Sequence, residues 1–473
     1  MAQRKSNNKK QKPNTSLYKD KRLEKRGSKL ENKIVKKETV IINQLSEDRA
    51  ELVSYCRFMK NEEVNWEKIY QEKRKPLNKL SKDKHVLVVN DTTEFNYECH
   101  RNFLNKGDKE LGPLGNDKDI GFFCHPGLVI DSSNGVAIGY SYLKIWNRSW
   151  DKKDKYAREY KKQAIESKES YRWIECGLRS KEQLSLAKKI TIIADRESDI
   201  YEEFAAVPDN RTELLIRSRC DRFLYDGDSL YKQIEETEIC ERYDLKVRAT
   251  ATRKARNTNI EVKYIRVKIK RPSNLNNKKN LSEYVELTAI EAKELSKNVP
   301  KGEKPIHWIL LTTHKINGVS DALQIIVWYC MRWQIELLFA TMKSKGLNME
   351  ASELESGKAL KTMCVIALHV SLLINQLRQL RNDKSGIHAG IAFTNKQIEL
   401  LKVLAKRYEK KTKKQTNPHK EETIAWASWI IARLGGWKGY ACECPPGNKT
   451  YKWGLDSFYS IYEGFTLNEK ICA

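Results

Sequence analysis

No Cys-x-x-Cys pair occurs in this sequence; its eleven cysteines are scattered. That spacing argues against a zinc ribbon or a disulfide framework and for a reducing cytoplasm. Cys99-His100, Cys124-His125 and the Cys-Glu-Cys of 442–444 are the nearest approaches to zinc donors, and isolated pairs of this kind are usually incidental. There is no GxxxxGK[ST] and no HExxH, which sets aside ATP-driven and zincin chemistry. Long hydrophobic runs are also missing. The longest, "TMCVIALHVSLLINQL" at 362–377, contains His369 and is bounded by Lys361 and Arg378, so it reads as a buried core helix. The opening "MAQRKSNNKKQKPNTS" has no apolar centre and reads neither as a secretory signal nor as a membrane anchor. Acids fall short of bases, 62 against 88, leaving a net charge of +26 and a pI near 9.4. With 40% hydrophobic residues the chain can build real cores, so the excess charge points to a polyanionic partner whose phosphates release counterions on binding.

Residues 1–37 carry fourteen Lys/Arg and three acids. Residues 1–16 are expected to be a disordered basic arm, because they cannot bury enough apolar surface to offset ordering entropy. Heptad-like apolar spacing over 17–75, with "YCRFMKNEEVNW", predicts a small basic helical domain, which either binds DNA or presents a solvated charged face. In "KHVLVVNDTTEFNY" an apolar run leads into Asn90 and Asp91, the pattern of a buried central strand that delivers a polar side chain to a sheet edge. "KKITIIADRESDIYEEF" repeats this, with a strand over 190–194 followed by Asp195. Between them lie hairpin signals in "GFFCHPGLVIDSSNGVAIGYSYLKIW" and a helical stretch around 151–188. Strand with Asp, strands, helix, strand with Asp and a later helix with Glu is the layout of a ribonuclease H-like α/β core, expected over 76–380.

Asp195 and Glu336 are separated by 141 residues, too many for a simple crossover, so a β-rich insertion is expected at about 220–305. Its "YDLKVRATATRKARNTNIEVKYIRVKIKRP" alternates apolar and basic residues, with "NTN" at 257–259 as the turn, a bulge where the alternation slips at Tyr264-Ile265, and a basic face that could clamp a phosphate backbone or simply be solvated. A helical domain is expected at 381–473. There Trp426, Trp429, Ile430, Arg433 and Trp437 fall at helical spacing, which predicts burial in an interface or a core.

The stretch "WYCMRWQIELLFATMKSKG" places Tyr329, Arg332, Glu336 and Lys343 at offsets that put a phenol, a guanidinium, a carboxylate and an ammonium on one face of a single helix. Asp91-Thr-Thr-Glu94 also fits a capping box, and Asp195 a simple N-cap. Read with Glu336, however, three carboxylates at one sheet edge would repel one another unless cations neutralised them, and hard divalent ions suit oxygen donors. Two such ions can activate a water or a 3′ hydroxyl for in-line phosphoryl displacement.

These residues carry a resemblance. The sequence resembles the DDE cut-and-paste transposases of the insertion-sequence-four family, whose Y-xx-R-xxx-E-xxxxxx-K signature is matched by Tyr329, Arg332, Glu336 and Lys343. "VNDTT", "ADRESD", "PKGEKPIHWILLT" and "IIARLGGW" match further motifs in order, from about Asp20 to about residue 465. The resemblance implies that Asp91, Asp195 and Glu336 bind two Mg²⁺ ions, with Mn²⁺ as substitute, and are catalytic. It implies that Tyr329, Arg332 and Lys343 hold phosphates of the transposon end, that Trp308, 21 residues before Tyr329, stacks on a flipped base, and that Arg217 lies at the active site. The implied activity is excision of an insertion sequence through a hairpin and joining of its 3′ ends to target DNA, by a homodimer on two DNA ends. Two departures stand out: the basic arm, and "GFF" where the family has a Trp pair. The chain stops soon after "WGLDSFYSIYEGF", so the family's dimerising last helix is expected to be shortened. A catalytically lapsed DNA-binding inhibitor and a structure-selective nuclease of the same fold are the alternatives.

Overall fold

The computed structural model describes residues 17–18, 20–151, 163–247, 249, 253–273, 275, 281–343, 346–382, 384, 386–408, 416–440 and 443–471. The expected arm at 1–16 lies outside these residues, as does part of the 151–188 stretch. The chain opens with α1 (Lys21–Lys37), α2 (Ile42–Leu45), α3 (Arg49–Lys60), α4 (Trp66–Arg74) and α5 (Leu77–Leu80). Three of them start on a side-chain cap: Asp20, Asp48 and Asn65 each accept from a backbone N–H of the first turn, at 2.8, 2.7 and 2.9 Å. Leu23, Leu30 and Ile34 recur at helical spacing along α1 and are buried. Lys33 is buried beside them and is neutralised by Glu47 and Glu51.

A single mixed sheet follows. Its strands are β1 (His85–Asn90), β2 (Thr93–Asn96), β3 (Gly112–Pro113), β4 (Ile120–Asp131) and β5 (Val136–Trp146), and then, after α6 (Tyr171–Gln183), β6 (Lys189–Ala194). Next come α7 (Tyr201–Ala206), β7 (Thr212–Arg217), α8 (Leu230–Glu236), β8 (Glu241–Val247), β9 (Arg256–Lys270), β10 (Tyr284–Glu294) and β11 (His307–Thr312). The strand order is β2-β4-β1-β6-β7-β11-β10-β9-β8, with β3 and β5 on the other side of β4. β1 is antiparallel to β4 and parallel to β6, with Val89 opposite Ile193. Val86–Asn90 and Ile190–Ala194 are buried on both faces, which is why both strands read as unbroken apolar runs. Because β1 and β6 are parallel and in register, Asp91 and Asp195 emerge at the same edge of the sheet.

Beyond β7 the sheet is extended by the antiparallel ribbon β8–β11, joined through Leu310 opposite Arg217. The expected β-rich insertion is therefore a continuation of the central sheet. Two of its details differ from expectation. "NTN" is not a turn: residues 257–259 lie within β9, Asn259 faces Asp244, and the reversal falls between Val247 and Arg256. Nor is there a bulge at Tyr264-Ile265, since Ile290 and Ala289 pair with them in step. The alternation slips because the covering layer changes sides: Thr258, Ile260 and Val262 are buried on one face of β9, Val267 and Ile269 on the other. The basic face is also partly neutralised. Arg266 and Lys268 share Glu286 at 2.6 and 3.8 Å, and Arg256 pairs with Glu294 and Glu303 at 2.6 and 2.7 Å.

The remaining helices are α9 (Val319–Cys330), α10 (Trp333–Met342), α11 (Gly357–Gln379), α12 (Asn395–Tyr408), α13 (Ile424–Leu434) and α14 (Asn448–Ile471). α11 is long and apolar enough to cross a membrane by composition alone, but it lies in the core, with Val365, Ala367 and Leu368 fully buried. Tyr140 donates to its Leu368 carbonyl at 2.8 Å, and its Gln376 donates to the Ala137 carbonyl at 2.7 Å, pinning it to β5. Trp426, Trp429 and Ile430 of α13 are buried within the subunit, which decides between core and interface for that cluster. α1 leans on α14, where Lys36 reaches Ser460 at 2.8 Å and Asp456 at 3.6 Å.

Candidate active site

Asp91 follows β1 directly. Its Oδ1 accepts from the Thr92 N–H at 2.7 Å, and its Oδ2 lies 3.3 Å from Arg332 Nη1. No capping box forms there, because Glu94 lies on β2 and accepts from the Gly115 N–H instead. Asp195 does cap: its Oδ1 accepts from the Glu197 N–H at 2.8 Å, closing a 3₁₀ turn at Arg196–Ser198. That bond fixes the carboxylate's aim without using its second oxygen.

The single helix expected to carry the other four groups is broken. α9 ends at Cys330 and α10 begins at Trp333. Between them Met331, Arg332, Gln334 and Ile335 all bond three residues back, to Trp328, Tyr329, Met331 and Arg332. Such a 3₁₀ stretch inside a helix often marks a hinge. Tyr329 therefore belongs to α9, Arg332 stands in the break, Glu336 lies in the first turn of α10, and Lys343 follows its last residue. Gln334 ties α10 to the β4–β5 hairpin by donating to the Gly135 carbonyl at 2.8 Å. Gly135 has φ 72°, the left-handed region in which glycine pays no Cβ penalty.

Arg332 joins strand end to helix, with Nη2 2.5 Å from Glu336 Oε1 and Nη1 near Asp91. Burial pushes the Asp91 carboxyl up to about 6, and the negative charges of Asp195 and Glu336 add to this, against the Thr92 N–H and Arg332. Asp195 and Glu336 are thus each within electrostatic reach of Asp91. Among the described residues, however, no group of three or more His, Cys, Asp or Glu is gathered as a metal site. The cation standing between Asp91 and Glu336 is the guanidinium. Cys124-His125 is not gathered as a zinc pair either: as consecutive residues of β4 they point to opposite faces of the sheet, and His125 Nδ1 is bonded to Thr92 Oγ1.

Of the remaining expected residues, Trp308, Tyr329 and Arg217 stand together beside Arg332, and Lys343 points elsewhere. Trp308, half-buried on β11, meets the Tyr329 ring edge to face at 5.2 Å. Burial raises the Tyr329 phenol, while Arg332 and then Arg217 oppose the shift. Arg217 ends β7 and donates to the His307 carbonyl at 3.1 Å, beside Trp308. Lys343 turns toward Glu350 at 3.4 Å, with its ammonium 5.5 Å from the Phe95 ring.

One group at the site was not legible in the sequence. Arg172, on α6, donates through Nε to Thr92 Oγ1 and through Nη2 to Glu197 Oε2, both at 2.8 Å. Thr92 Oγ1 in turn shares a 2.8 Å hydrogen bond with His125 Nδ1. One guanidinium thereby links the residue after Asp91 to the turn capped by Asp195. The only local hint is an arginine between two aromatic residues, Tyr171 and Trp173, at the start of α6.

Residues 178–373 match the family model described as "Transposase DDE domain", a span that includes Asp195 and the Tyr329–Lys343 segment but not Asp91. The match supports a DDE transposase, a DNA-cleaving and DNA-transferring enzyme of a family that generally uses divalent metal. Among solved structures the chain is similar to one described as a piggyBac transposase synaptic complex with hairpin DNA. The identity is 6% and the TM-score 0.38, over 92% of this chain and 75% of that one, a likeness too distant to bear on the argument.

Proposed function

We propose that this protein is a cut-and-paste DNA transposase of the insertion-sequence-four family, similar to the transposase of transposon five, with a ribonuclease H-like catalytic core. The observation that supports the reading is that Asp91 and Asp195 leave parallel neighbouring strands at one sheet edge while Arg332 links Asp91 to Glu336. The sheet supports the fold reading: β5, β4, β1, β6 and β7 lie side by side, and β4 alone runs against its neighbours. The donors are carboxylate oxygens, which suit a hard cation, and a cation would offset what burial, with the charges of Asp195 and Glu336, already does to raise the Asp91 carboxyl. Asp91, Asp195 and Glu336 would hold two Mg²⁺ or Mn²⁺ ions, which supply Lewis-acid activation of a water or a 3′ hydroxyl.

The chain's own groups do the rest. Arg332 and Lys343 grip phosphates beside the cut and Tyr329 orients them. Trp308 offers its half-exposed indole to an extruded base, and Arg217 adds charge beside that base. Arg172 keeps the two carboxylate-bearing turns in fixed relation. The N-terminal helices bind the terminal inverted repeats, two subunits assemble on two DNA ends through the C-terminal helical domain, and the enzyme works in the bacterial cytoplasm.

Glu336→Ala tests the reading. Nicking, hairpin opening and strand transfer should each fall below about one hundredth of wild type, more than ~2.7 kcal/mol in the barrier. Binding to DNA ends should persist, because it rests on Lys and Arg contacts to phosphate. Cleavage that survives both the substitution and a chelator would overturn the metal-dependent reading. Wild-type binding without any cleavage would instead leave a DNA-binding inhibitor, and cutting without joining a nuclease.

A further inference from the structure

We propose that Arg332 gates the candidate active site: its guanidinium holds the counter-ion position between Asp91 and Glu336 until a DNA phosphate draws it away, so that divalent cations load only onto the DNA-bound protein. This inference rests on the metal-dependent reading above.

The two nitrogens of one guanidinium reach two of the three expected ligands, at 3.3 Å to Asp91 and 2.5 Å to Glu336. Arg332 retains only 14% side-chain exposure there, and the carboxylates 24% and 34%, so the contacts are poorly screened by water. A divalent ion drawn to these carboxylates meets the guanidinium's positive charge at close range and competes with it for Asp91 Oδ2 and Glu336 Oε1. The unliganded site therefore opposes metal entry for as long as the guanidinium stays in place. A phosphate can reverse this, since it offers arginine the same forked acceptor geometry as a carboxylate.

The local structure supplies a path. Arg332 lies in the 3₁₀ break between α9 and α10, where relaxing a few backbone bonds re-aims the side chain. Its guanidinium carbon lies 6.0 Å from the Tyr329 ring centre and 5.8 Å from that of Trp333, which is 55% exposed. The two rings form a cation-attracting track from the carboxylates to the surface. Lys343 does not compete for the gate, since it is turned toward Glu350. DNA would bind first and metal second, so the free protein does not hold an armed site.

The test is a Mn²⁺ titration of DNA-free protein, followed by the loss of the free-ion electron spin resonance signal, with wild type, Arg332→Gln and Arg332→Lys compared at one ionic strength. Arg332→Gln should bind Mn²⁺ about tenfold tighter or more than wild type. Arg332→Lys should fall between them, because an ammonium is a point charge that cannot fork across both carboxylates. It keeps the test open if the glutamine variant does not fold. Adding a mixed-sequence duplex to wild type, with the duplex alone as reference, should close the gap to Arg332→Gln. Equal affinities in the free proteins, or a gap that persists with the duplex, would overturn the gate. So would a gain in Arg332→Gln that a second substitution, Glu336→Gln, fails to remove. If no variant binds Mn²⁺ with or without DNA, the metal-dependent reading itself falls.

Discussion

Glu203 shows how far burial alone can shift a group beside this site. It lies on α7, just past the turn capped by Asp195, and is fully buried with Ser198 Oγ donating to it at 2.7 Å. Burial pushes its carboxyl up to about 8, Asp199 adds to the shift, and the Ser198 bond opposes it. Between about 4.5 and 8 the folded protein keeps a proton that the unfolded chain has released. This contribution is whole below the lower value and is lost as pH rises through the upper one, at about 1.4 kcal/mol per pH unit. Glu203→Gln carries no such proton. Urea unfolding at pH 6 and pH 8 should show wild type losing ~2–3 kcal/mol more than the variant. Parallel profiles would mean that the carboxyl is ionised in the fold. Nothing in "DIYEEF" announces this, because Glu202 and Glu203 differ only in which way the helix turns them.

Among the elements, β1 and β6 were legible because an unbroken apolar run ending in Asp is the local signature of a strand covered on both faces. The α9–α10 break was not, since 3₁₀ tightening leaves the apolar spacing nearly unchanged, and the slip in β9 came from a change of covering layer that no short window contains. β11 gives the element-scale prediction. Trp308 is half-buried and touches Tyr329 across the junction of the ribbon with α9. If it stacks on an extruded base, Trp308→Ala should leave first-strand nicking nearly intact and weaken hairpin formation or its resolution by ~1–3 kcal/mol. The aromatic pair itself is worth only about 0.5–1.5 kcal/mol, so the melting temperature should move by a few degrees at most. Equal loss at every step with a large drop in melting temperature would make Trp308 a packing residue.

Over the whole molecule the charge of +26 sets how the protein meets DNA, although ion pairs such as Arg266–Glu286 and Arg256–Glu294 remove part of the ribbon's share. A footprint of six to ten phosphates would cost about 10³ to 10⁵ in affinity between 50 and 200 mM salt. Fluorescence anisotropy with a labelled duplex measures this slope. An affinity that ignores salt would remove the polyanion reading drawn from composition.

The sequence by itself determined the helical N-terminal segment, the two strands that end in Asp91 and Asp195, the buried α11 and the basic excess, because each depends on composition or on residues a few positions apart. Only the tertiary structure decided that the insertion continues the central sheet, that the tryptophans of α13 fill a core, and that Arg172 and Arg332 tie the site together. Those bonds join residues 80 and 241 positions apart. Contacts across such separations follow from strand order and helix packing, which no local period encodes, so Arg172, unlike the Arg332 of the signature, looks in the sequence like any other arginine.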